Sequence, residues 1–158
     1  MAKKTEAPEP RVLTSLAELG TYEYNVDIEL TDGDIIRIEM KTLSLKAWNA
    51  AGAEVPDPVA PMAGVDKFER PIYNYNDSGY LVAMNEAANR RAYRRLLVAI
   101  KIEVPGATDD ERITWLEDEL DFGVAHKLVE VMSDMASEVD ARIANRAASF
   151  PANGTGNS

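Results

Sequence analysis

Residues 22–41 read YEYNVDIELTDGDIIRIEMK, and this stretch decides the fold class. Its apolar residues alternate with polar ones on both sides of the turn segment 31–34, which predicts a β-hairpin. The apolar face comprises Tyr24, Val26, Ile28, Leu30, Ile36, Ile38 and Met40. The other face carries charges at Glu23, Asp27, Glu29, Arg37, Glu39 and Lys41. Because two strands alone are marginally stable, we expect the apolar face to lie on helices.

Two long stretches without proline or glycine, 80–104 and 124–150, predict two long helices. Either Asn76 or Asp77 is expected to cap the first helix. Its predicted apolar stripe is Leu81, Met84, Ala88, Ala92, Leu96 and Ile100, and that of the last helix is Val124, Leu128, Val131, Met135, Val139 and Ile143. Met40, Met84, Met132 and Met135 are expected to be core residues.

Two shorter helices complete the predicted set. Ser44 is placed to cap a helix that ends at Ala51, with Gly52 as its stop signal. The segment 108–111, T-D-D-E, has the spacing of a capping box and predicts a helix with Ile113, Leu116 and Leu120 on one face.

The predicted fold is α+β and predominantly α-helical, with an N-terminal β-hairpin packed on a bundle of about four helices, two of them long. We expect an N-terminal arm over 1–20, one globular domain over 21–150 and a flexible polar tail over 151–158. Within the domain lie the hairpin, 22–41, and a helical part, 44–150. The helical part contains one long proline-rich and aromatic loop over 55–79.

Composition narrows the possible functions. The chain has 17 basic and 27 acidic residues, for a net charge of −10, which disfavours binding to nucleic acid or to anionic membranes. It contains no cysteine and one histidine, and it has no phosphate-binding glycine motif or nucleophile elbow. We therefore expect no catalytic residues, no metal site and no cofactor, hence not an enzyme, and we interpret His126 as a hydrogen-bonded structural histidine.

The candidate partner-binding residues fall into two groups. The aromatic group comprises Trp48, Phe68, Tyr73, Tyr75 and Tyr80, and its members within or beside the loop either bind a partner or simply cover the core. The arginine cluster comprises Arg90, Arg91, Arg94 and Arg95. Ion pairing with the acidic helix after Pro105 is favoured over nucleic-acid binding for this cluster, and an acidic partner is a third reading.

The order of motifs over roughly 42–103 resembles the tail assembly chaperones of tailed bacteriophages. The chain has a tryptophan before the proline-rich segment VPDPVAP (55–61), then NDSGY (76–80) and an arginine-containing helix. The residues that carry the resemblance are Trp48, Pro56, Pro58, Asn76, Asp77, Tyr80, Arg90 and Arg91.

This resemblance implies a protein that coats the tape measure protein, keeps it soluble and helps to recruit tail tube protein. It further implies a role in the host cytoplasm and absence from the mature virion. Self-association, or several copies per client, is also expected. The alternative is a structural virion subunit of the tail or neck, of the tail-completion or connector type, which uses the predicted hairpin, 22–41, to extend a neighbouring sheet.

Overall fold

The computed structural model describes residue 12 and residues 14–137. Along this part of the chain lie a 3-10 helix (Leu16–Leu19), β1 (Glu23–Glu29), β2 (Ile35–Lys41), α1 (Leu45–Ala53), β3 (Met62–Val65), β4 (Pro71–Tyr73), α2 (Ser78–Ala99), α3 (Asp109–Asp118) and α4 (Phe122–Ser137). The predicted α+β class with a helical majority is confirmed. The predicted tail, 151–158, and two residues of the predicted last stripe, Val139 and Ile143, lie outside the described residues, as does most of the predicted arm.

The first hairpin forms as predicted. β1 and β2 pair antiparallel, from Glu23 opposite Lys41 to Glu29 opposite Ile35. Gly33 has a φ of +88°, a left-handed conformation that glycine adopts without strain, and its N–H donates to the Leu30 carbonyl at 2.9 Å. The buried side chains of the apolar face are Tyr24, Val26, Ile38 and Met40.

The main core lies between this hairpin and two helices. The buried face of the hairpin packs with Leu96 and Ala99 of α2 and with Leu128, Met132 and Met135 of α4. Three of the four predicted core methionines, Met40, Met132 and Met135, are buried, and Met84 is half-buried.

The helix α2 is shorter than the proline-free stretch suggested. Asp77, and not Asn76, caps its N-terminus by accepting the Tyr80 N–H at 2.9 Å. The helix ends at Ala99, because Ile100 is extended and forms an isolated β-bridge with Met40. The chain after α2 therefore runs beside β2 instead of continuing as helix.

The predicted stripe of α2 is partly wrong. Leu81 and Ala88 are exposed, whereas Ala87 is buried. A single stripe assumes that one partner covers one face along the whole helix. Instead α1, α3 and α4 each contact α2, so the buried face changes along its length.

The start of α1 is as predicted, but its end is not. Ser44 accepts the Ala47 N–H at 3.2 Å, as an N-cap does. The helix continues to Ala53, and Gly52 lies buried inside it. A Cβ on Gly52 would lie 2.5 Å from an Arg95 guanidinium nitrogen, so this glycine permits close packing of α1 against α2.

The capping box of α3 is confirmed. Thr108 accepts the Glu111 N–H at 3.2 Å, and the Glu111 carboxylate accepts the Thr108 N–H at 3.3 Å. The last helix begins at Phe122, one residue before Gly123. Asp121 accepts the Val124 N–H at 3.2 Å at its start.

The predicted long loop over 55–79 contains a second hairpin. β3 and β4 pair antiparallel, Met62 with Tyr73 and Val65 with Pro71, with an irregularity between Met62 and Gly64. The prediction of one long loop missed these strands, because they are only four and three residues long and show no alternation of apolar and polar residues.

Candidate partner-binding surface

The second hairpin carries apolar side chains that are exposed to solvent. All seven strand residues are exposed, and none of them is charged. The exposed large side chains of the hairpin are Met62, Val65, Phe68, Ile72 and Tyr73. Among the described helices and strands, β3 and β4 pack mainly on each other. We call this second hairpin with its turn, residues 62–73, the arm; it is distinct from the N-terminal arm predicted over 1–20.

The tip of this arm is held by one carboxylate. Asp66 accepts the backbone N–H groups of Phe68 at 2.7 Å and Arg70 at 3.0 Å, and its second oxygen accepts from the Arg70 guanidinium at 2.9 Å. The Arg70 N–H, followed by that of Phe68 and the Arg70 side chain, lowers the pKa of Asp66. Phe68 remains 64% exposed, with the Lys67 ammonium 5.0 Å from its ring centroid.

An aromatic patch joins the base of the arm to the first turn of α2. The rings of Tyr73 and Tyr75 lie 6.4 Å apart, and those of Tyr75 and Tyr80 lie 5.9 Å apart. Leu81 and Val82, which follow Tyr80 in α2, are both more than half exposed. We define the aromatic patch as Tyr73, Tyr75, Tyr80, Leu81 and Val82. The fold thus brings the three tyrosines named from the sequence together.

Trp48 lies apart from the aromatic patch, on α1. Its indole packs under the Arg95 guanidinium at 4.3 Å from the ring centroid, and its carbonyl accepts from Arg95 Nε at 3.3 Å. Burial, followed by the charge of Arg91, lowers the pKa of Arg95. This half-buried pair fixes α1 on α2.

The arginines also bind groups within the chain. Arg90 donates to the Glu117 carboxylate of α3 at 3.0 Å. Arg94 forms ion pairs with Asp110 of α3 and with Glu54 after α1. Ion pairing with the acidic helix after Pro105 is therefore observed for Arg90 and Arg94.

Arg91 makes a different connection. It donates to the Val55 carbonyl at 3.0 Å and forms an ion pair with Asp57. It thereby holds the start of the proline-rich segment against α2, at the base of the arm. Since all four arginines have partners within the chain, the arm and the aromatic patch are the better candidates for partner binding.

Sequence reasoning missed the apolar strand residues Met62, Val65 and Ile72, together with Leu81 and Val82. One signal was available, because residues 58–65 read PVAPMAGV and contain no charge in a chain that is 28% charged. His126 also differs from expectation. It is exposed, and its ring stacks on Phe122 with centroids 6.0 Å apart.

Within residues 14–137 no group of three histidine or acidic residues is arranged to hold a metal ion. In the same part of the chain, no helix combines the length and apolar character needed to cross a membrane. The chain matches no family model, no curated protein and no solved structure at a significant level.

Proposed function

We propose that this protein is a tail assembly chaperone of a tailed bacteriophage. In this role it binds the tape measure protein, keeps it soluble and helps to recruit tail tube subunits. It acts in the host cytoplasm and leaves before the virion matures. No catalytic step is part of this function.

The observation that carries the proposal is the exposed apolar surface formed by the aromatic patch and the adjoining arm. Large exposed apolar patches on globular proteins are typical of protein-binding sites. Tyrosines are well suited to such sites because they bury a large area with few rotatable bonds. A long, apolar helical client offers side chains at helical spacing, and such side chains fit an aromatic surface.

Charge and sequence resemblance add support. The net charge of −10 keeps a client-bound complex soluble and disfavours nucleic acid as the ligand. Part of the pattern that resembles the chaperone family lies in the same region, since Asp77 caps α2 and Tyr80 in its first turn belongs to the aromatic patch.

The test is co-expression with the long helical protein encoded nearby. We expect the wild-type chain to keep that protein soluble and to co-elute with it. Leu81→Ser removes an apolar group of the aromatic patch and should reduce the amount of client that co-elutes by about tenfold. Ile35→Ser is the matched control, because Ile35 is equally apolar and 66% exposed but lies at the start of β2.

Both variants should unfold at the wild-type temperature within a few degrees. An insoluble client in the presence of the wild-type chain would contradict the proposal. Equal loss of co-elution in the two variants would remove the aromatic patch as the binding surface.

A structural subunit of the tail or neck is the second candidate. One observation favours it: the β3–β4 sheet has only two strands in the described part of the chain, so its edges can extend a neighbour's sheet. Mass spectrometry of purified virions separates the candidates. A chaperone should be absent from them, whereas a structural subunit should be present in a fixed copy number.

A further inference from the structure

A second apolar feature lies on the body, away from the arm. A cleft of about 250 Å³ opens between the end of β2, α1 and the C-terminal part of α4. Leu43, Leu45, Trp48, Met132 and Met135 form most of its apolar lining, and Lys41 also lines it. None of the residues that line it belongs to the arm. Leu45 is 76% exposed at this cleft.

The size of the cleft suits one large apolar side chain. Pockets for drug-sized ligands usually exceed about 300 Å³, whereas a cavity of about 150 Å³ accommodates a benzene ring. A single phenyl group therefore fills this cleft better than a small-molecule ligand does.

The charge at the cleft narrows the choice of occupant. Lys41 forms no ion pair within residues 14–137, although the chain carries ten more acidic than basic residues. Its cross-strand neighbour Glu23 pairs instead with Lys101, at 2.7 Å. The cleft therefore combines apolar walls with a cation that is unpaired within the described part of the chain.

The tip of the arm has the complementary chemistry. Phe68 is exposed there, and the next residue, Glu69, has an exposed carboxylate outside the Asp66–Arg70 ion pair. Glu69 has a φ of +60°, and its backbone N–H donates to the Asp66 carbonyl at 3.0 Å, so its position beside Phe68 is fixed by the turn. The Lys67 ammonium and the Arg70 guanidinium lie 5.0 Å and 5.1 Å from the Phe68 ring centroid, so the tip has no net acidic charge. The match to an apolar cleft that carries Lys41 is made by the ring and the Glu69 carboxylate alone.

We propose that the tip of the arm of one copy inserts into the cleft of a second copy, with Phe68 in the apolar lining and Glu69 paired with Lys41. Each copy then provides one tip and one cleft. Such a contact is head-to-tail, and it produces either a closed ring, including a reciprocal dimer, or an open chain. This self-association needs no client and leaves the aromatic patch of each copy accessible.

The experiment is a mixing test with two purified full-length variants. Phe68→Ala lacks the aromatic tip, and Leu45→Asp places a charge in the cleft. Both residues are exposed, so both variants should fold, which circular dichroism and thermal melting check. We expect the wild type to form dimers or larger species by sedimentation at high concentration, and each variant alone to associate at least about tenfold more weakly.

Mixing the two variants is the decisive step. The intact tip of Leu45→Asp should enter the intact cleft of Phe68→Ala, which yields a 1:1 heterodimer that cannot grow. A second test exchanges the charges: Lys41→Glu and Glu69→Lys should each weaken association, and the double variant should recover it. Val59→Ala, at an 84% exposed apolar residue outside the tip and the cleft, should have no effect.

A monomeric wild type at every concentration would overturn the proposal. Unchanged association of either single variant, or a mixture that stays monomeric, would also overturn it. Since no client is present, these outcomes are independent of the test of chaperone function.

Discussion

The two hairpins of this protein differ in the pattern and the burial of their apolar side chains. In β1–β2, apolar residues alternate with polar or charged ones over most of the length. Four residues of the apolar face, Tyr24, Val26, Ile38 and Met40, are buried in the core with α2 and α4, whereas Ile36 near the turn is exposed. In β3–β4, the strands carry no charge, and none of their side chains is buried. The first hairpin is therefore a structural element of the core, whereas the second is exposed in a way that is typical of a partner-binding element.

Hydrogen exchange should show the largest difference between the hairpins. The Thr42 amide, which donates to the Tyr22 carbonyl at the base of the first hairpin, should exchange only on global unfolding. The Asn74 amide donates to the Pro61 carbonyl at the base of the second, and it should exchange by local opening. We expect protection factors that differ by at least about a thousandfold. Similar protection of the two amides would show that the arm is part of the cooperative core.

The same substitution in both hairpins tests this difference in stability. Met40 is fully buried and Met62 is 65% exposed. Met40→Ala should lower the free energy of unfolding by about 2–5 kcal/mol, because it removes core contacts and leaves a cavity. Met62→Ala should change it by less than about 0.5 kcal/mol. Urea denaturation measures both values, and equal losses would contradict the assignment of the core to the first hairpin alone.

A pair of tyrosine variants probes a polar group in the first hairpin. The Tyr24 hydroxyl is buried and has no hydrogen-bond partner among the residues that the structure describes, whereas Tyr73 in β4 is 41% exposed. Tyr24→Phe should raise the free energy of unfolding by about 1 kcal/mol, because it removes a desolvated group. Tyr73→Phe should leave it unchanged within about 0.5 kcal/mol. A clear loss in Tyr24→Phe would show that this hydroxyl is hydrogen-bonded in solution.

Tyr24 also gives a pH signature in alkali. Burial, followed by the charge of Tyr22, raises the pKa of Tyr24 to about 12. The unfolded tyrosine ionises near pH 10, so the folded state loses stability as the pH rises from about 10 towards 12. Tyr24→Phe should lack this part of the loss in alkaline urea titrations.

The smallest expected effect is at acid pH. The hydrogen bond from Arg37, reinforced by its charge, holds the pKa of Asp27 below its ordinary value. Its contribution to stability is thus complete above about pH 4 and is lost as the pH falls through the folded pKa. The gap between wild type and Asp27→Asn in the urea midpoint should close over that range.

Asp66 provides the matched case in the second hairpin. Its pKa is also lowered, by the Arg70 and Phe68 backbone N–H groups and the Arg70 side chain. We expect Asp66→Asn to weaken the hydrogen bonds that hold the turn at the tip of the arm. The chemical shift of the Phe68 amide should report this change. The midpoint of global unfolding should keep its pH dependence, because the arm opens before the core unfolds. A parallel pH-dependent shift in both Asn variants would contradict this separation.

Local sequence patterns predicted the strands in which apolar and polar residues alternate regularly and the helix ends that are capped by a nearby side chain. The β1–β2 register follows from a period of two, and the caps Ser44 and Thr108 follow from side-chain oxygens that accept helix N–H groups. For α2 the sequence left Asn76 and Asp77 as alternatives, and the structure has Asp77. The tyrosines were named as candidates on a different ground. They lie in or beside a proline-rich segment that shows no helical or strand pattern, so nothing in the sequence indicated that they are buried.

Other features could not be predicted from local patterns. The β3–β4 strands are too short to show a period, and their pairing depends on one Asp66 turn. The sequence placed Gly52 as a helix stop, although packing of Arg95 against α1 is what requires it. The end of α2 at Ala99 could not be predicted either, because it depends on the β-bridge between Ile100 and Met40, which are 60 residues apart in the chain.

The sequence by itself determined the acidic charge, which is composition alone, and the fold class. It also determined the first hairpin and the helix starts at Ser44 and Thr108, because each of these depends on residues close together in the chain. Only the tertiary structure decided which apolar residues are covered. It assigned Arg90, Arg91 and Arg94 to ion pairs within the chain and Arg95 to Trp48. It also left the arm and the aromatic patch exposed and formed the cleft around Leu45. Burial depends on what packs against a side chain from distant segments, and no local period encodes that.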